Sequence, residues 1–245
     1  MKNQNRLLTL AVALALGSVT NNVWAQETCT GPTFEVASGT YAVACGTFAH
    51  ANGAQASAFG SRAFANGNNN TTVGVYSYAG NGLGTFTGAT AVGEHAVAYG
   101  LNSTASGFNS YASVDESTAT GDYSQATAHG ATATGSHSTA SGFDSTASGR
   151  NSNASGRFST VTGFGSLAHG DYATASGDQS SAFGKLANAN GAYSYAGDEG
   201  TATGAHSSAG ALWHRQRLSQ SSNRSGWDGQ RCVLVRRGCL QHRYR

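Results

Sequence analysis

The residues of this chain best spaced for chemistry are hydroxyls and thiols. Thr90, Thr104, Thr118, Thr132, Thr146, Thr160 and Thr174 recur every fourteenth residue without a miss. Two residues further on, the column reads Val92, Ser106, Thr120, Thr134, Ser148, Thr162 and Ser176. Hydroxyls at fixed spacing suit hydrogen bonding to an extended, regular surface. The four thiols fall in two pairs, Cys29/Cys45 and Cys232/Cys239. In an exported chain the first pair is a candidate disulfide near the N-terminal edge, but pairing across chains or two free thiols fit the spacing equally. Nothing else is arranged for catalysis. The eight His are scattered, with no close Cys or His partner at zinc-ligand spacing. Gly184-Lys185 lacks the upstream glycine of a phosphate loop, and Gly82-Leu83-Gly84 is too short a glycine signal to carry meaning. Ser is abundant because strands and turns use it. No enzyme activity, cofactor or metal is expected.

These columns need an element that repeats with them. Residues 35–210 repeat a five-residue word, Ser/Ala-x-Ala-x-Gly, every seven positions, as in Ser103-Thr104-Ala105-Ser106-Gly107 and Ser138-Thr139-Ala140-Ser141-Gly142. Of the fifteen positions in register from Gly93 to Gly191, Gly fills thirteen, and only Val114 and Ala128 break it. Alternation over five residues is a strand signal, with Ser, Ala and Gly on the face that something must approach closely. Gly and the two residues after it form a tight turn. Nearly all charges of this region fall in those turn slots, Arg62, Glu94, Asp122, Arg150 and Lys185 among them. A coiled coil would need large apolar residues at two seam positions per heptad, and Gly every seventh residue costs a helix about 1 kcal/mol each. A flexible linker needs no fixed register.

The full period is fourteen, because alternate words differ. Between the Thr positions the column is irregular: Val97, Tyr111, Gln125, Thr139, Asn153, Leu167 and Ser181. Each coil is therefore expected to hold two short strands and two turns, with a uniform Thr face and a variable face. Stacked coils would sit about 4.8 Å apart as parallel strands. The fold class is all-β, a parallel solenoid. Ala and Ser bury little apolar area, so each coil gains little at roughly 25 cal/mol per Å², and association between chains is the expected remedy.

The rest of the chain divides by composition. Met1–Ala25 reads as a secretory signal peptide, with Lys2 and Arg6, the apolar run Leu7–Leu16 and cleavage between Ala25 and Gln26. Its apolar run is too short to span a membrane, and no other segment is apolar enough. Residues 26–34 form a lead-in, with the sole proline, Pro32, marking where ordered coils begin. The glycine register slips between Gly74 and Gly93, which predicts an inserted loop at Val75–Thr87 carrying Tyr76, Tyr78 and Phe86. A second slip falls near Asp198-Glu199-Gly200. Residues 27–211 carry 11 acids and 4 bases, a net of −7, which argues against nucleic-acid binding.

Residues 211–245 differ in kind, with 8 Arg and one acid, Asp228. Trp213 and Trp227 lie fourteen apart, and the Trp codon read one base forward before His214 or Asp228 begins a Gly codon. The tail is therefore expected to be a frameshifted continuation of the repeat. Its rival is a basic tail that touches nucleic acid or anionic lipid.

A signal peptide followed by tandem Ser-x-Ala-x-Gly words at fourteen residues per coil resembles the YadA-like head of trimeric autotransporter adhesins. The resemblance covers roughly residues 35–210. It implies a left-handed parallel β-roll, three chains side by side as a homotrimer, and display on a Gram-negative outer membrane. It also implies attachment to host cells or extracellular matrix and self-association of cells. The chain departs from the family pattern in favouring Thr, Ser and Asn where the family favours Val or Ile. Neck, coiled-coil stalk and C-terminal anchor are not read in it, so the printed product is expected to be a truncated head, periplasmic or secreted. In that class ligands engage distributed repeat surfaces, and the variable column with the turn aromatics Phe108, Phe143, Phe158, Phe164 and Tyr172 supplies the candidate contacts. The Thr column also looks like the faces of ice-binding β-solenoids, since positions two apart on a strand are about 6.6 Å apart and coils supply the second spacing. A secreted ice-binding solenoid is thus the alternative function.

Overall fold

Every second residue of each word turns inward, and the computed structural model shows what it meets. The structure describes residues 35–81 and 88–210, with short strands at Glu27–Thr28, His214–Gln216, Val233–Leu234 and Cys239–Leu240. Successive strands of the solenoid alternate between a 14-stranded and a 13-stranded parallel sheet, so each coil contributes one strand to each. In the first sheet Thr104 pairs with Thr118 and Ala105 with Ala119, one coil on. In the second, Val97 pairs with Tyr111 and then Tyr111 with Gln125. The solenoid of fourteen-residue coils and its two strands per coil are as the repeat implies. Among the described residues no helix is long and apolar enough to cross a membrane.

The face of small residues packs against the opposite sheet of its own coil. Ala105, Ala119 and Ala133 of the first sheet and Ala112, Ala126 and Ala140 of the second are fully buried. Nothing larger than Ala fits this gap except Val161 among the apolar residues of the core. Where Ser opens a word it is also buried, and in most coils its hydroxyl donates to the carbonyl of the turn residue three before it, Ser145 turning instead to the carbonyl of Ala154. Ser103 reaches Gly100 at 2.7 Å, Ser124 reaches Gly121 at 2.8 Å and Ser138 reaches Gly135 at 2.8 Å. Ser therefore suits the narrow interior because in most coils its own turn satisfies its one polar group, Ser159 being left without a partner among the described residues.

The two corners of a coil are not equivalent. After each strand of the threonine sheet the turn opens on a glycine in the left-handed region. At Gly107, φ is +131°, and a Cβ would stand 2.6 Å from the carbonyl oxygen of Gly121. Val114 and Ala128, the two breaks in the glycine register, both occupy the other corner, where Gly100, Gly142 and Gly156 are not left-handed. Two residues after the corner glycine the chain is again left-handed, at Tyr76, Tyr123, Asp144, Phe158 and Tyr172 among others. None of these residues is β-branched, as that conformation requires.

The slips fall in narrower places than the sequence predicts. Phe64 pairs with Tyr78 at the regular spacing, and strand Tyr78–Ala79 stays in the second sheet. Tyr78 then pairs with Val97 and Thr71 with Thr90, five residues beyond the regular register. The insertion thus begins after Ala79; Tyr76 sits in a regular corner, and Phe86 lies outside the described residues. Asn70, fully buried, closes the gap: its Oδ1 accepts the amide of Ala89 at 2.9 Å and its Nδ2 donates to the carbonyl of Asn66 at 2.7 Å. The second slip removes one residue, pairing Asn188 with Thr201 and Tyr195 with Ser208. The first rung precedes Pro32 rather than following it, because Glu27–Thr28 pairs with Val43–Ala44. At the other end the first sheet takes His214–Gln216 as a further rung, beyond Gly210.

Candidate functional site

With the interior closed by Ala and Ser, recognition must lie on the outer surfaces. All seven Thr of the column stand on one sheet and point outward, their neighbours in sequence being buried. They stack in register from Thr90 to Thr174. Among the described residues no hydrogen bond engages any of these seven hydroxyls. The outward residues on either side extend the face to Phe59 and Val73 at one end and Asn188 and Thr203 at the other. Every charge from Arg62 to Glu199 stands at a corner, so this face carries none.

The opposite sheet presents large and varied side chains. His50, Phe64, Tyr78, Tyr99 and Tyr111 form one continuous row, with ring centroids 4.8, 6.1, 5.3 and 5.9 Å apart. Burial raises the Tyr99 phenol above its ordinary pKa, and the neighbouring Tyr78 and Tyr111 add to this. Beside the row runs a polar ladder. Ser38 donates to Asn52, Asn52 to Asn66 at 2.9 Å, and Asn66 to the Tyr78 hydroxyl at 3.0 Å. Sequence reasoning started the variable column at Val97 and missed this half; carrying it back across the slip would have reached Tyr78, Phe64 and His50.

Both corners carry stacks. The five turn aromatics are exposed, and they divide between the two edges. Phe108 meets Tyr123 at 5.4 Å and Phe164 lies under the Arg150 guanidinium at 5.7 Å, on the edge that follows the threonine sheet. Phe143, Phe158 and Tyr172 lie on the other, at successive distances of 5.6 and 5.1 Å. Arg157 lies over both phenylalanines, 5.7 and 5.8 Å from their centroids. On the first edge Arg62 sits between Phe48 and Tyr76, and Tyr76 stacks on His95 at 5.0 Å. Stacking one coil on the next is what brings residues fourteen apart within reach. Several corner acids are occupied structurally: Asp115, Asp171 and Asp198 accept the backbone amides of Leu101, Arg157 and Lys185 from the preceding coil.

Cys45 is disulfide-bonded. Cys29, the signal cleavage pair Ala25 and Gln26, and the thiol pair Cys232/Cys239 lie outside the residues whose side chains are described. Among the described residues no group of His, Cys, Asp and Glu could hold a metal ion.

No curated protein matches the chain. The YadA head domain repeat, a family unit of two repeat copies, matches residues 37–63, 87–110, 112–138, 140–166 and 175–194, together just over half of the sequence. Three of those segments each span almost two of the fourteen-residue coils seen in the structure. The chain belongs to the YadA head repeat family of adhesins.

Proposed function

We propose that this chain is the adhesive head of a homotrimeric surface adhesin, attaching its cell to host cells or extracellular matrix and supporting autoaggregation. The observation that carries the reading is the division of labour around one coil. The interior and one face repeat nearly unchanged, while the other face and the corners display exposed aromatics that differ from coil to coil. Exposed aromatic clusters with Arg beside them are the usual anchors of protein recognition. Export through Met1–Ala25 would bring the head to the outside, with Cys29 as the partner of Cys45. The register supports that pairing, since Thr28 lies opposite Ala44 one residue earlier. Binding of the purified chain to host cells and to matrix-coated surfaces tests the function. A Phe158→Ser/Tyr172→Ser double variant should lose most of the retention while keeping its β circular dichroism. Retention that neither variant nor wild type shows on any such surface would sink the reading.

The threonine face supports a second reading, a secreted ice-binding solenoid, because its hydroxyls form a regular array with no partner among the described residues. Thermal hysteresis of the purified protein, abolished by Thr132→Leu/Thr146→Leu, would favour it.

A further inference from the structure

We propose that the variable sheet is a glycan-binding face. On it a neutral β-linked chain of pyranose sugars, from the surface to which the cell attaches, lies along the solenoid axis across Phe64, Tyr78, Tyr99 and Tyr111. This rests on the adhesive reading for its purpose, and names the ligand class and the face.

Charge narrows the ligand first. From Val36 to Ser208 the outward strand positions of this sheet hold no Asp, Glu, Lys or Arg. The solenoid around it carries 11 acids against 4 bases over residues 27–211, a net of −7, which repels sulfated or carboxylated sugar chains. A neutral polyol meets neither obstacle.

Rings and hydrogen-bonding groups lie side by side on this sheet, and a sugar is built to match both. An equatorially substituted pyranose has two apolar C–H faces and a rim of hydroxyls. The negative face of an aromatic ring attracts such C–H groups. Tyr78 and Tyr99 meet at 64°, and Tyr99 and Tyr111 at 86°, so these rings do not spend all their faces on one another. The sugar rim meets the polar ladder. Asn52 holds Asn66, and Asn66 donates to the Tyr78 hydroxyl, which keeps its own proton to give. Amides fixed before a ligand arrives lose little freedom on binding it. The combination recurs further along the same sheet. Ser155 bonds His169 at 2.6 Å, and His169, Phe183 and Tyr195 form a second row with steps of 5.0 and 5.7 Å. Phe183 and Tyr195 are each 45% exposed.

Spacing separates a glycan from a peptide. The rings of the first row step by 4.8 to 6.1 Å, and one pyranose of an extended β-linked chain advances by about one such step. A polyproline-type peptide advances about 3.1 Å per residue and three residues per turn, so its turns match only every second rung. The rings from His50 to Tyr111 occupy consecutive rungs.

Asn66 and Asn190 make a matched pair for the test, each the outward residue that ends a strand before a glycine, one on each sheet. Calorimetric titration of the full chain with chitohexaose should show binding that Tyr78→Ala/Tyr111→Ala weakens about tenfold or more. Asn66→Ala should weaken it about two- to tenfold, and Asn190→Ala should leave it unchanged. Absence of binding by wild type, equal losses in the two Asn variants, or preference for heparin or a proline-rich peptide overturns the proposal. Should the alanine pair lose its β circular dichroism, Asn66→Ala decides alone, since it removes no ring. Retention on host cells or matrix by a chain that does not bind the hexasaccharide overturns the glycan face and leaves the adhesin reading standing. Binding of the hexasaccharide by a chain retained on no such surface supports the face and removes the adhesin reading instead.

Discussion

The two sheets of this solenoid share a backbone, an interior and a pitch, yet their outer faces have little in common. Ala105 and Ala112 are equally buried a half-coil apart, while Thr104 belongs to a uniform hydroxyl column and Tyr111 to an irregular aromatic row. The difference teaches that coil geometry dictates only what lies inside and at the tightest corners. Outward positions need no more than a residue compatible with a strand, so the two faces are free to differ.

That separation breaks most sharply at a corner. Gly107→Ala places a Cβ 2.6 Å from a backbone carbonyl that cannot turn aside, in a left-handed conformation that itself costs about 1–3 kcal/mol. The sum should exceed every other single change described below. Ala128→Gly, at the corner without that requirement, should cost less than about 1 kcal/mol. Urea midpoints of the two variants check the asymmetry, and equal losses would remove it.

Next comes the interior. Ala119→Leu forces a large side chain between the sheets and should cost about 1–3 kcal/mol, whereas Thr118→Leu, one residue away but outward, should stay within about 0.5 kcal/mol. A Thr118 variant as damaging as the Ala119 one would mean that the threonine face is already packed against something, which links this comparison to the assembly state. Asn70→Ala follows. It leaves the amide of Ala89 buried and unpaired at the insertion, a loss of about 1–3 kcal/mol. Hydrogen exchange should rise at Ala89 and its neighbours while remaining slow in the regular coils past Thr104.

Much of this was legible from the period alone. Seven Thr at fourteen-residue spacing gave the first sheet, and the alternation with Ala gave the inward face. The limits of the insertion were not legible, for a physical reason. Ser77-Tyr78-Ala79-Gly80 is a word short by one residue, so the glycine register already looked lost there. The ladder, however, needs only the inward Ser and Ala, and both are present and buried. Pro32 misled in the same way, since a rung needs two paired residues and Glu27–Thr28 supplied them upstream. The candidate contacts were half-legible. Phe143, Phe158 and Tyr172 could be named as turn residues, but the reach of Arg157 to Phe143 and the stacking of Tyr172 on Phe158 depend on coils meeting fourteen residues apart. The unequal corners left only one trace in sequence, the placing of Val114 and Ala128.

The smallest effect concerns titration, where the two faces should differ in kind. The threonine face has no group that titrates in the ordinary range, while the variable face holds Tyr99 between Tyr78 and Tyr111. Burial disfavours the Tyr99 phenolate, and ionisation of either neighbour disfavours it further, so its pKa lies above the ordinary 10.0. A raised folded-state pKa means that the neutral phenol is favoured by folding. Its contribution is fully present below the ordinary value and is lost as the pH climbs through the folded one. Phenolate absorbance should therefore show one Tyr titrating late, and Tyr99→Phe should remove that late component. The same substitution should leave the steepness of alkaline destabilisation reduced only slightly, since Tyr99 is only partly buried. An unchanged late component in Tyr99→Phe would place the strained phenol elsewhere and detach the titration from the aromatic row.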